Sequence, residues 1–175
     1  MADRPLNPTA ASLLGFLHWR PMSGYELAAT AQQVIGAFWT LTRSQVYREL
    51  AWMADAGLVT AGERGARDRV AYTLTNAGRE AFAGWIVRPP GTETIRHPLL
   101  LTLSFGRHVP PERLAAFLRD HREAHQARLR AYEAEAQDES PGSDPFRAAT
   151  LAFGLAYERA TAAWFDALPE SMLRG

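Results

Sequence analysis

Thr42-Arg43-Ser44-Gln45-Val46-Tyr47-Arg48-Glu49-Leu50-Ala51-Trp52-Met53-Ala54-Asp55-Ala56-Gly57 is the stretch on which the reading of this chain turns. Thr42 followed three residues later by Gln45 is a capping-box start, and Gly57 is a left-handed stop, so the segment between them is a helix. At about 100° per residue, Val46, Leu50 and Met53 cluster on one face, which must look into a core. Ser44, Arg48, Ala51 and Asp55 fall on the opposite face; Tyr47 lies on one flank, and Gln45 with Trp52 on the other. The outward face is rich in hydrogen-bonding groups toward its N-terminus, where unpaired backbone N–H groups favour a phosphate. A helix that enters a major groove leads with such an end, arginine reading guanine and glutamine reading adenine. An ordinary amphipathic surface helix has the same outline, so the surroundings must decide.

Upstream, residues 8–18 read as a helix with Leu13, Leu14 and Leu17 on one face. Ser23 caps a second helix with Glu26 as its reciprocal partner, Leu27 and Val34 turn inward, and Gly36 ends it. Downstream, residues 58–63 and 69–74 are short strands around Arg64-Gly65-Ala66-Arg67-Asp68, a hairpin turn. Arg64, Arg67 and Arg69 gather at its tip, where a wing meets the minor groove or flanking phosphates. Thr75 opens a fourth helix through Phe82, Trp85 and Ile86. Three helices, a two-stranded hairpin and another helix form a winged helix-turn-helix, expected over residues 1–88.

Arg88-Pro89-Pro90-Gly91 cannot continue a helix and separates this half from a helical region over residues 92–175. There the patterning predicts helices over 94–105, 111–136 and 145–168, the last two separated by a Pro/Gly/Ser loop. Leu114, Leu118, Leu129 and Tyr132 recur along the second, and Leu151, Leu155, Trp164 and Leu168 along the third. These stripes exceed what two antiparallel helices can hide, so they are expected to pair the chain with a second copy of itself. The fold class is therefore mainly α: an N-terminal winged helix-turn-helix with a two-stranded β wing, then a helical dimerisation region.

Composition sets bounds. Cysteine is absent, which excludes disulfides, thiol catalysis and cysteine-ligated zinc. All nineteen basic residues are Arg, so any charged phosphate contact here is an arginine fork. Net charge is zero, with nine Arg against seven acids up to residue 90 and ten against twelve beyond it (+2 and −2). The opening residues have no basic-then-apolar layout and no apolar run spans a bilayer, which points to a cytoplasmic protein. His121 and His125 stand at metal-capable i, i+4 spacing, but they match no zincin order and have no evident third ligand; a histidine pair at a helix interface is the better reading. No glycine-rich phosphate loop, nucleophile elbow or paired carboxylates appear, so neither an enzyme nor a cofactor is expected.

Three stretches resemble the PadR family of bacterial regulators. They are Leu13-Leu14-Gly15-Phe16-Leu17 with Met22-Ser23-Gly24-Tyr25-Glu26-Leu27; Phe38-Trp39 with Val46-Tyr47-Arg48-Glu49-Leu50 and Gly57-Leu58-Val59; and the run from Arg69 through Tyr72, Thr75 and Gly78 to Arg79. The later segments, around Leu99 to Gly106, Pro110-Pro111-Glu112, Tyr157-Glu158 and Trp164-Phe165, resemble the longer-tailed kind of its helical C-terminal region. The resemblance implies a homodimer that binds double-stranded DNA at inverted repeats, usually as a repressor, often relieved by a small-molecule effector. It places DNA contacts on Ser23 and Tyr25 at the second helix, on Thr42, Arg43, Ser44, Gln45, Tyr47 and Arg48, and on the wing arginine Arg69. Trp52 departs from the family, which usually has a basic or polar residue there. An effector acting by changing the angle between the two DNA-reading domains of the dimer is the expected control. The rival reading is a winged-helix protein-interaction module without DNA binding.

Overall fold

The computed structural model describes residues 4–36, 38–64, 70–92, 95–138 and 144–174. The chain divides into two compact units, Met1–Thr92 and Glu93–Gly175. No helix among the described residues is long and apolar enough to cross a membrane.

The N-terminal unit runs α1 (Pro8–Leu17), β1 (Met22–Ser23), α2 (Gly24–Val34), α3 (Arg43–Asp55), β2 (Val59–Arg64), β3 (Val70–Leu74) and α4 (Asn76–Ile86). Its boundaries are set by local chemistry. Asn7 Oδ1 accepts from Ala10 N at 2.8 Å with Pro8 in the first turn, and Ser23 and Thr42 each complete a capping box. Helix α3 ends in a Schellman turn: Gly57 has φ +71°, its N–H reaches Ala54 O at 3.1 Å, and Leu58 N reaches Met53 O at 2.8 Å.

The sheet differs from expectation. It has three strands in the order β1-β3-β2, all antiparallel, with Met22 opposite Tyr72 and Val59 opposite Leu74. The two residues of β1 carry no periodicity, so only the free edge of β3 makes them a strand. Thr75 welds the wing to α4: its Oγ1 donates toward Gly57 O and Leu58 O, at 2.8 and 2.9 Å, and accepts from Gly78 N at 3.0 Å. A Cβ on Gly78 would lie 2.1 Å from Leu58 O, so a glycine is required for that approach. Leu13, Leu14, Leu27, Val46, Leu50 and Met53 form the centre of the core, with Phe82 of α4 packed on its margin. Val34, expected inside, is exposed at the last residue of α2.

The C-terminal unit holds α5 (Pro98–Ser104), a 3₁₀ turn (Gly106–His108), α6 (Pro111–Asp138), α7 (Pro145–Asp166) and α8 (Glu170–Leu173). Helix α5 is shorter than the expected 94–105, and Thr94 lies outside the described residues. Leu99, Leu114, Leu118 and Phe165 form a small core, with Trp164, Leu168 and Leu173 against it. Helices α6 and α7 run antiparallel, braced by Arg122–Asp166, Arg128–Glu158 and Arg147–Glu135. Tyr132 lies flat on Gly154, where a Cβ would meet its ring at 3.0 Å. Burial pushes the Tyr132 phenol pKa above its usual value, with the Glu158 charge adding to the effect.

The apolar stripes are covered in part within the unit itself. Leu114, Leu118 and Leu151 are buried inside their own unit, and Leu129, Tyr132, Leu155, Trp164 and Leu168 are half-buried there. Two helices of 28 and 22 residues hide most of each other's stripes, with α5 and α8 closing one end. The apolar side chains left in solvent are others: Leu100, Leu101, Phe105, Phe146 and Phe153.

Candidate nucleic-acid interface

The leading turn of α3 is open to solvent. Arg43, Ser44 and Arg48 are exposed, whereas Val46, Leu50 and Met53 on the opposite side have 0% exposure. Thr42 and Gln45 bind each other: Gln45 Oε1 accepts from Thr42 N at 2.8 Å and from its Oγ1 at 3.0 Å, and Thr42 Oγ1 accepts from Gln45 N at 3.2 Å. The cap thereby occupies the Gln45 carbonyl and leaves its amide NH₂ as the group for recognition.

The start of α2 comes alongside. Tyr25 and Tyr47 are 55% and 51% exposed, which places both hydroxyl-bearing rings at the surface rather than in the core. Gly24 allows this approach, since a Cβ there would lie 2.6 Å from Tyr47 Cε1. The Arg43 guanidinium stands 5.4 Å from the Tyr25 ring centre, a cation–π distance. Tyr25, Arg43, Tyr47 and Arg48 thus combine two cations with two phenols on one exposed surface, a set suited to phosphate oxygens.

Ser23 stands apart from that set. It is buried and its hydroxyl is spent in the cap, accepting from Glu26 N at 3.3 Å and donating to Glu26 Oε2 at 2.7 Å. The Ser23 N–H donates to the same carboxylate at 2.8 Å, and Arg20 approaches its other oxygen at 3.1 Å; together these bonds pull the Glu26 pKa down to about 2. In the wing, Arg64 belongs to β2 but its side chain lies outside the described residues, as do Arg67 and Arg69 entirely.

One residue of α3 was not singled out in the sequence. Glu49 is 1% exposed, yet it is ionisable. Arg4 Nη2 donates to both of its oxygens at 2.9 Å, while Arg48 Nε stands 3.7 Å from Oε1. The signal was the helical wheel, since Glu49 lies three residues after Val46 and four before Met53, on the inward flank.

Comparison with known proteins resolves what such a surface belongs to. The family model described as "Transcriptional regulator PadR-like family" matches residues 13–84, and that described as "Virulence activator alpha C-term" matches residues 95–171. Residues 13–84 thus form a PadR-like transcriptional-regulator domain, followed by a C-terminal region of the virulence-activator kind. This family consists of regulators rather than enzymes. The negative transcriptional regulator PadR of Bacillus subtilis is 25% identical over 147 residues, 82% of this chain and 81% of that protein. Its crystal structure in complex with operator DNA matches with a TM-score of 0.73 at 23% identity, covering 91% of this chain and 96% of that one. A second structure of it, in complex with p-coumaric acid, matches with a TM-score of 0.63 at 22% identity, covering 92% and 94%. The Vibrio cholerae virulence activator AphA matches with a TM-score of 0.67 at 26% identity, covering 94% and 95%.

The C-terminal unit of this PadR-like chain contains a cavity of about 570 Å³. His97, His121, His125, Arg128, Tyr157 and Trp164 are among its walls. Glu158, only 3% exposed, lies behind them and takes 2.6 Å from His125 Nδ1 and 2.9 Å from Arg128 Nε. A carboxylate only accepts, so Nδ1 must carry the proton for the bond to Glu158, and Arg128 Nη2, 2.9 Å from that nitrogen, then makes no hydrogen bond to it. His125 is therefore tied to Glu158, and among the described residues no group of three or more His, Cys, Asp or Glu gathers around it or elsewhere.

Proposed function

We propose that this regulator acts in the cytoplasm as a homodimeric, ligand-responsive repressor, with α3 of each copy in the major groove of an inverted-repeat operator. The observation that carries the reading is the exposed leading turn of α3, with Arg43, Ser44 and Arg48 outward and Val46, Leu50 and Met53 beneath. The operator complex of Bacillus subtilis PadR supports DNA as the partner, and half-sites about 34–36 Å apart follow for a two-fold dimer of such domains. In this role Tyr25, Tyr47 and Arg43 bind phosphates, Arg48 binds phosphate or a guanine edge, and the wing arginines Arg64, Arg67 and Arg69 follow the flanking backbone. Exposed Leu100, Leu101, Phe105, Phe146 and Phe153 supply apolar area for a second copy. The p-coumaric acid complex of the Bacillus subtilis protein supports a small-molecule effector, for which the C-terminal cavity is the candidate site in this chain.

The test is to sequence genomic fragments retained by the purified protein and titrate the recovered duplex across salt concentrations. A DNA-reading protein gives an inverted repeat and a steep negative dependence of affinity on salt. Arg48→Ala is expected to lose about 1–3 kcal/mol of specific binding at fixed salt. Retention of no particular fragment, with affinity flat across salt, would establish the protein-interaction module instead.

A further inference from the structure

Glu49 poses an electrostatic problem on the reading helix. Its side chain is 2% exposed, so water does not screen its charge, and it directly follows Arg48 in the chain. A buried carboxylate without a partner is strongly unfavourable and draws in whatever cation can reach it. Two guanidinium groups are within reach. Arg4 Nη2 bridges both carboxylate oxygens at 2.9 Å, whereas Arg48 Nε remains at 3.7 Å, beyond hydrogen-bond distance.

Arg4 is held in place from two further directions. Its guanidinium carbon sits 4.7 Å from the centre of the Trp52 ring, one turn along α3 from Glu49. Three residues later in the chain, Asn7 caps α1, and Leu6 between them packs on the core. The Trp52 ring and the Glu49 carboxylate therefore make an acidic-and-aromatic socket for one planar cation.

We propose that Arg4 is a positioning residue for DNA reading: seated on Trp52, it occupies both oxygens of Glu49 and so holds the Arg48 guanidinium to a loose 3.7 Å ion contact, short of a hydrogen bond, on the exposed face of α3. This rests on α3 being the DNA-reading helix. Without Arg4, Glu49 closes the gap to Arg48, takes the reading cation into an intrahelical pair, and adds an uncompensated negative charge beside the duplex.

A double-mutant cycle tests this on full-length protein, using the recovered duplex as probe in anisotropy titrations, with thermal melts confirming that each variant is folded. Arg4→Ala is expected to weaken binding about tenfold, equivalent to about 1.4 kcal/mol. Glu49→Gln binds at least as tightly as the parent, and Arg4→Ala/Glu49→Gln returns to within about twofold of it, within the additivity error of such cycles. The double variant also keeps the parental salt slope, because no phosphate contact is lost. If the double variant stays as weak as Arg4→Ala, or falls below Glu49→Gln with a salt slope shallower by about one, Arg4 touches DNA itself and the inference is wrong. Those last two proteins leave no buried carboxylate unpaired, so they decide the matter even if Arg4→Ala alone does not fold. A parent that binds DNA alongside an Arg4→Ala variant of equal affinity overturns this inference alone. A parent without salt-dependent duplex binding overturns the DNA-reading function and the inference together.

Discussion

The two units of this chain close their cores in different ways. In the N-terminal unit, three helices, a three-stranded sheet and α4 surround thirteen buried apolar residues, and the one fully buried acid found there, Glu49, is matched by Arg4. In the C-terminal unit the buried cluster among the described residues has only four members, at one end of a helix pair that ion pairs brace along its length. A pair of helices has a seam but no enclosed interior, and the outer sides of both remain open. The first unit can therefore present aromatic and arginine side chains as a recognition surface without losing its core. The second leaves Phe105, Phe146 and Phe153 exposed among the described residues.

Core truncation gives the largest effect and the most direct attack on this contrast. Leu50→Ala and Leu118→Ala each remove a fully buried leucine and are expected to cost about 2–5 kcal/mol. They should differ in one respect when followed by thermal melts over a wide range of protein concentration. If a second copy completes the C-terminal unit, the transition lost in Leu118→Ala rises with concentration, while that of Leu50→Ala does not. Identical, concentration-independent behaviour would mean that both units are complete alone.

A smaller effect is expected at Glu158. Glu158→Gln leaves His125 and Arg128 facing a neutral group, at a cost of about 1–3 kcal/mol in urea unfolding. Arg159→Ala, which breaks the solvated pair with Glu133, should fall within about 0–1 kcal/mol. Equal losses from the two substitutions would show that burial is not what gives the Glu158 cluster its weight.

The smallest effect concerns the cap of α2 and depends on pH. Glu26 titrates at about 2 in the folded protein against 4.5 for a free side chain. A depressed carboxylate stabilises the fold above the unfolded value, and that contribution is lost as pH falls through the folded one. Because Glu26 is well exposed, Glu26→Gln should cost under about 1 kcal/mol at neutral pH. The gap between parent and variant should stay constant above pH 4.5 and close toward pH 2. A gap that widens on acidification would place the cap's stabilisation elsewhere.

Legibility followed the range of the forces involved. Caps act over three or four residues, so Ser23, Thr42, Thr75 and Gly57 could be read directly, and with them the starts of α2, α3 and α4. The inward set Val46, Leu50 and Met53 was legible because helical period is a local property. In the site, the wheel alone placed Ser44 and Arg48 outward. It could not tell whether Tyr25 and Tyr47 lie in or out, since a flank position faces whatever element arrives beside it. Periodicity marked the apolar stripes of α6 and α7 for burial without naming the partner, and part of their cover comes from the unit itself.

Taken alone, the residue order determined where α2, α3 and α4 begin, the two strands of the wing and the outward turn of α3. Each of these depends on neighbours a few positions away. Tertiary structure alone decided that Met22 and Ser23 become a strand, that Leu118 turns to its own unit, and that Arg4 reaches across 45 positions to Glu49. The physical reason is that a polar or apolar group specifies what it needs, a partner or a cover. Which group supplies it is settled only when distant segments compete for the same space.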